Sequence, residues 1–205
     1  TPDSPGKRVD TYTAPVHHAL AILAAYLIGS VNFGILVAAS RGVDIRSVGS
    51  GNPGTSNVLR VLGKKLAAVV LLGDALKGVL AAAIGVAVGD PVFGYVTLAA
   101  AVIGHSFPIW HRLNGGKSVA TALGGIVYLA PAVGLVLAGM WIVILLVWKT
   151  ASIASLVVMV LLVPLLALAG RTTAELLWSA AIAVFVIARH AENIRGLVTS
   201  TERKV

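Results

Sequence analysis

Three polar stretches hold most of the groups in this chain that could do chemistry. The first, DIRSVGSGNPGTSNVLRVLG at residues 44–63, sets Gly49, Gly51 and Gly54 among the neutral donors Ser50, Asn52, Ser56 and Asn57 and reaches Arg60 near its end. Glycines open backbone conformations in which successive N–H groups curl around an anion. From about Thr55 the pattern turns helical, and a helix amino terminus favours a phosphate. Arg60, one to two turns further on, could grip phosphate oxygens with a forked guanidinium. A plain Gly/Ser/Asn turn is the simpler alternative. The length of the segment and the arginine at its helical end speak against it.

The second stretch, GHSFPIWHRLNGGKSVAT at residues 104–121, places Lys117 straight after two glycines. A nucleotide-binding loop reads G-x-x-x-x-G-K-[ST], but His111 stands where its first glycine belongs, and an apolar helix follows with no parallel sheet in sight. What remains is an anion cradle with a mobile point charge at the start of the next helix. His105 and His111 are six apart around Pro108, too far for a helical ligand pair. No metal site is expected, and His105 reads as a structural or orienting residue. The third stretch, ARHAENIRGLVTSTERKV at residues 188–205, carries His190 and Asn193 three apart, able to point together into a pocket from one helical face. Arg189 and Arg195 could bind an anion or simply complement a helix end.

The elements that position these groups are apolar. Of 205 residues, 58% are hydrophobic and only 12% charged, and the mean hydropathy is +0.93. Such a chain is too apolar for one water-soluble core and reads as an all-α membrane protein. Apolar runs near 16–38, 64–87, 91–107, 117–130, 132–148, 152–169 and 174–190 predict about seven transmembrane helices, the fourth short and glycine-rich. Residues 1–14 read as a flexible polar tail without a cleavable leader, and residues 15–205 as a single membrane domain. The net charge of +8 comes from basic residues placed between apolar runs. That placement points to topology and anionic headgroups or substrates, and away from nucleic acid. Cysteines are absent, which excludes disulfides and thiolate-bound metals.

Seven crossings would gather Arg41, Arg46, Arg60, Lys64, Lys65, Arg112, Lys117, Lys149, Arg189, Arg195, Arg203 and Lys204 on one face. The opposite loops carry Arg171, with Lys7 and Arg8 in the tail. Basic loops stay cytoplasmic, so the amino terminus is expected outside and the carboxyl terminus inside. All three polar stretches then share the cytoplasmic face. Three residues apart in the second run, Asp74 and Lys77 can neutralise one another, as a structural ion pair lining the bundle or as groups that touch substrate.

Together these segments resemble the bacterial acyl-phosphate:glycerol-3-phosphate acyltransferase family, through GSGNPGTSNVLRVLG, GHSFP…GGK-VAT and H-x-E-N-I in that order between apolar runs. The resemblance implies transfer of an acyl chain from acyl phosphate to the sn-1 hydroxyl of glycerol 3-phosphate. The products are inorganic phosphate and lysophosphatidic acid, made at the bacterial inner membrane on its cytoplasmic side. It implies neither acyl-CoA nor acyl carrier protein as direct donor, no cofactor and no obligate protein partner. The H-x-x-x-x-D pair of the larger glycerolipid acyltransferases is missing after His105, His111 and His190. By the same resemblance Ser50, Gly51, Asn52, Gly54, Ser56, Asn57 and Arg60 bind phosphate, Lys117 serves phosphate and catalysis, and His190 and Asn193 are catalytic. Three departures stand out: Ser118 and Ser200 where the family has glycine, and Gly196 where it commonly has a basic residue. The last leaves Arg195 as the nearest candidate for that anion contact. The rival class is a transporter of a phosphorylated metabolite, which would bind near the midplane between repeats of broken helices. Here the polar words cluster at one face and no repeat is visible.

Overall fold

The computed structural model describes residues 14–205; the predicted tail lies outside the described residues apart from Ala14. Every regular element among the described residues is helical: α1 Ala14–Ser30, α2 Phe33–Ala39, α3 Thr55–Leu62, α4 Lys64–Val88, α5 Pro91–Ser106, α6 Val119–Leu129, α7 Pro131–Trp148, α8 Ala151–Leu168, α9 Thr173–Ala188 and α10 Ala191–Val198, with a 3-10 turn at Ile109–His111 after α5. Five segments are long and apolar enough to cross a membrane: Pro15–Ala39, Lys64–Val88, Pro91–His111, Pro131–Trp148 and Ala151–Leu168. A sixth exists if α9 and α10, bent by 58°, count as one span.

The boundaries follow local chemistry. Asp90 accepts from Phe93 N at 2.8 Å ahead of Pro91 to open α5. Thr172 and Glu175 form a reciprocal capping box on α9. Pro131 occupies the first turn of α7, where its missing N–H costs nothing. The first apolar run, predicted as one helix, is broken at Val31–Asn32. There the Asn32 side chain takes the Ile35 N–H at 3.1 Å, the group that Val31 O would have received in a continuous helix. Lys77 Nζ fills the gap, donating to Val31 O at 2.7 Å.

Between helices, small residues let backbones meet, as membrane packing requires. On the α4–α6 seam a Cβ on Gly78 would overlap the Thr121 carbonyl, and one on Gly124 would overlap Ala75. Tyr95, Leu98, Ile126, Leu137, Trp141, Met159 and Leu162 fill the main core across α5 to α8. Leu72, Leu135, Leu146, Val160, Leu177 and Val184 instead face outward, where lipid takes the place of a core.

Helix α6 has 11 residues, about 16 Å at 1.5 Å per residue, against roughly 30 Å of hydrocarbon. The cause lies in the preceding loop, which folds back along the end of α5. Gly115 N donates to Ser106 O at 3.1 Å, Gly116 N to His105 O at 3.0 Å, and Ser118 Oγ to Val102 O at 2.7 Å. Helix α6 therefore starts more than a turn below the end of α5.

Candidate active site

Loop 44–54 is built around Asn57, which is fully buried. Its amide donates to Ile45 O at 3.1 Å and Val48 O at 3.0 Å, and its oxygen accepts from Ser50 N at 2.9 Å. Gly49 and Gly51 take positive φ, 63° and 71°, to make the tight path around it. Gly54 is extended and carries no side chain to cap α3, so the first turn of that helix opens on the space beyond, with Thr55 and Ser56 at its edge.

Lys117 enters from the folded-back loop and donates to Asn193 Oδ1. Burial lowers its pKa from the ordinary lysine value, and Glu192 and Glu202 oppose that only in part. Ser118, next along, is in the left-handed region at φ 63°, held there by its bond to Val102 O and by Ser106 Oγ at 2.7 Å.

His190 sits in the break between α9 and α10. Its own N–H bonds back three residues, to Ile187 O at 2.9 Å. The Val186 carbonyl that a continued helix would have used lies 2.8 Å from the imidazole Nδ1. A carbonyl can only accept, so Nδ1 carries a proton, and in the neutral ring Nε2 keeps a free lone pair. The predicted continuous helix through His190 and Asn193 is thus bent at the histidine, and both side chains still line one space.

That space is a half-open cavity of about 530 Å³. Ser50, Asn52, Gly54, Ser56, Arg60, Lys117, His190 and Asn193 line its polar end, and Leu71, Leu123, Val127, Ala138, Trp141 and Ile142 form an apolar wall. Three of the predicted site residues do not reach it. Asn57 spends its amide inside the loop, Gly51 serves the turn beneath, and Arg195 is exposed on the outer side of α10. Arg203 lines the cavity instead, because the chain turns back after α10 through Ser200 at φ 58°.

This returning segment is the part that sequence reasoning missed. Glu202 Oε1 accepts from Asn193 Nδ2 at 2.7 Å and from Ser152 Oγ at 2.8 Å. Arg203 donates to Gly49 O at 2.8 Å, Arg60 to Lys204 O at 3.1 Å, and Val205 N to Lys149 O at 2.8 Å. Residues 202–205 therefore stitch the first loop, the start of α8 and α10 around one opening. The charge run ERKV, seen only as a basic end, was the available signal. Asp74, Lys77 and His105 form a buried cluster beneath: Lys77 Nζ lies 2.8 Å from Asp74 Oδ1 and 2.6 Å from His105 Nδ1. Asp74 and His105 both border the cavity.

A bundle of apolar helices enclosing a pocket of phosphate-sized donors and cations, open to a greasy wall, defines a polytopic membrane enzyme for a substrate part anion and part hydrocarbon. Residues 19–200 match the family model for glycerol-3-phosphate acyltransferase. A glycerol-3-phosphate acyltransferase of Rubrobacter xylanophilus is 45% identical over 189 residues, 90% of this chain and 94% of that protein. That of Myxococcus xanthus is 41% identical over 186 residues, 89% and 97% of the two chains. The crystal structure of PlsY, an integral membrane glycerol 3-phosphate acyltransferase, in its glycerol 3-phosphate form aligns with a TM-score of 0.87 at 38% identity, covering 92% of this chain and 95% of that one. The chain belongs to the glycerol-3-phosphate acyltransferase family, and is a multi-pass membrane acyltransferase.

Proposed function

We propose that the protein transfers an acyl chain from acyl phosphate to the sn-1 hydroxyl of glycerol 3-phosphate, releasing lysophosphatidic acid and inorganic phosphate, in bacterial phospholipid synthesis. The observation that carries this reading is the two-sided cavity. Donors from three loops meet at one end, and a second, apolar hollow of about 210 Å³ shares Thr55, Ser56, Leu71, Trp141 and Ile142 with it and runs on along Leu59 and Leu145. Phosphates suit the first and an acyl chain the second. PlsY structures in glycerol 3-phosphate and lysophosphatidic acid forms support the same pairing of substrate and product.

The acyl phosphate arrives activated, so the main task is to align the glycerol hydroxyl with the carbonyl carbon. Arg60, Lys117, Ser50, Asn52 and Ser56 hold the phosphates, with Arg203 beside them, and donors at the cavity floor steady the developing oxyanion. Attack is direct, with no acyl-enzyme, and the hydroxyl proton passes to His190 Nε2 or to a substrate phosphate. Asn193 orients Lys117. The amino terminus lies outside, the folded-back loop and the short α6 together make a seventh crossing, and the cavity opens to the cytoplasm at the inner membrane.

Detergent-purified protein incubated with palmitoyl phosphate and labelled glycerol 3-phosphate, without CoA or nucleotide, is expected to form lysophosphatidic acid. Folded protein that forms none would sink the reading. His190→Ala decides the proton route: a fall of about a hundredfold or more in kcat makes His190 the base, and near-normal turnover gives the proton to the substrate's own phosphate.

A further inference from the structure

The buried cluster under the cavity has a chemical consequence of its own. Asp74, Lys77 and His105 are each 2–3% exposed. The Lys77 ammonium donates to Val31 O at 2.7 Å and meets His105 Nδ1 at 2.6 Å, while Asp74 Oδ1 stands 2.8 Å from it as counter-charge without the alignment of a hydrogen bond, and 3.5 Å from His105 Nδ1. An ammonium has three N–H groups and no lone pair. At 2.6 Å one of those N–H groups goes to Nδ1, which must present its lone pair to an ammonium. His105 is then a neutral imidazole with its proton on Nε2. That nitrogen lies against Gly116, where any side chain would overlap it, one residue before Lys117 and at the cavity lining. Among the described residues no protein group takes the Nε2 proton.

His190 has the opposite arrangement: Nδ1 carries the proton that meets Val186 O, and in the neutral ring Nε2 is bare. The cavity thus faces one histidine that can only accept at its free nitrogen and one that can only donate. We propose that His105 Nε2–H is a catalytic donor to an anionic oxygen of the phosphate held beside Lys117, and that Lys77 is the positioning residue that fixes its tautomer. This rests on the acyl-transfer reading for the identity of the reaction. The donor itself is a property of the cluster and is testable without turnover.

The full chain is prepared in lipid nanodiscs with ring-15N histidine, His105 being assigned by its loss in His105→Gln. Expected in the wild type at neutral pH is a protonated Nε2 and an unprotonated Nδ1, with the Nε2 resonance moving on addition of inorganic phosphate. Lys77→Met should release this tautomer. In turnover, His105→Gln, whose amide nitrogen falls near Nε2, should stay within about tenfold of wild type. His105→Asn, which reaches only the Nδ1 position, should lose about a hundred- to a thousandfold in kcat. A proton on Nδ1, an imidazolium, an Nε2 signal indifferent to phosphate, or equal losses in the two amide variants would each overturn the proposal. Wild-type protein that forms no lysophosphatidic acid removes the acyl-transfer reading, while the tautomer and the phosphate response still decide the role of His105.

Discussion

Lys117 is the side chain on which the electrostatics of the cavity turn. It is drawn out of water, tied to Asn193 and set between Glu192 and Glu202, and burial outweighs those carboxylates in lowering its pKa. A lysine with a lowered pKa sheds its charge at a lower pH than an exposed one, and phosphate affinity goes with the charge. Above pH 7, where a phosphate monoester with a second pKa of about 6 is already dianionic, KM for glycerol 3-phosphate should stay flat and then rise on the alkaline side, earlier than an ordinary lysine would permit. Lys117→Arg should carry that rise beyond the measurable range even if its geometry lowers kcat. A KM profile identical in the two proteins would contradict this role. Lys117 was legible because a cation after two glycines has few structural uses. Asn57 misled for the converse reason: an amide serves a loop as readily as a ligand, and only its bonds to Ile45 and Val48 tell the two apart. Arg195 was assigned from a gap in the family pattern, and the cation that reaches the cavity, Arg203, comes from beyond a turn that spacing could not foresee.

Elements that read as plain runs in the sequence are interrupted where side chains take over backbone partners. Asn32 breaks the first run and His190 bends the chain at the end of the last, each by occupying a group that the next helical turn needed. Hydropathy located the runs closely, since α4 to α9 each begin and end within a few residues of one and α1 with α2 together fill the first, but it is blind to such breaks because they depend on contacts from distant helices. The departures from the family pattern become intelligible at the same scale. Ser118 and Ser200 both adopt positive φ, 63° and 58°, the conformation that glycine takes freely. At Ser118 a strain of about 1 kcal/mol or more is offset by the bonds to Val102 and Ser106. Ser118→Ala keeps the strain and loses the bonds, and should destabilise the protein by about 1–3 kcal/mol. Ser118→Gly, which relieves the strain, should lie closer to wild type. Thermal unfolding in detergent orders the three, and an alanine variant as stable as wild type would refute this account.

For the molecule as a whole, the crowding of lysine and arginine on one face makes orientation a prediction to be tested. The chain has no cysteine, so single replacements can report sides. Ser47→Cys, in the exposed first loop, should resist a membrane-impermeant maleimide in intact cells and react after lysis. Ala169→Cys, between α8 and α9, should react from outside. The reverse pattern would invert the topology. What composition could not reach is how the loops are tied to one another, because Arg203 and Lys204 bind across more than 140 positions of chain.

The shortness of α6 has a further meaning at this scale. A full-length helix there would bring its amino end level with the headgroups, and any cation on it would meet its anion in bulk water. With the loop tucked beside α5, the cation is set back from the end of that helix. The missing turns of one helix thus decide how far behind the rim of the bundle the cation stands, beside the apolar wall of the same cavity.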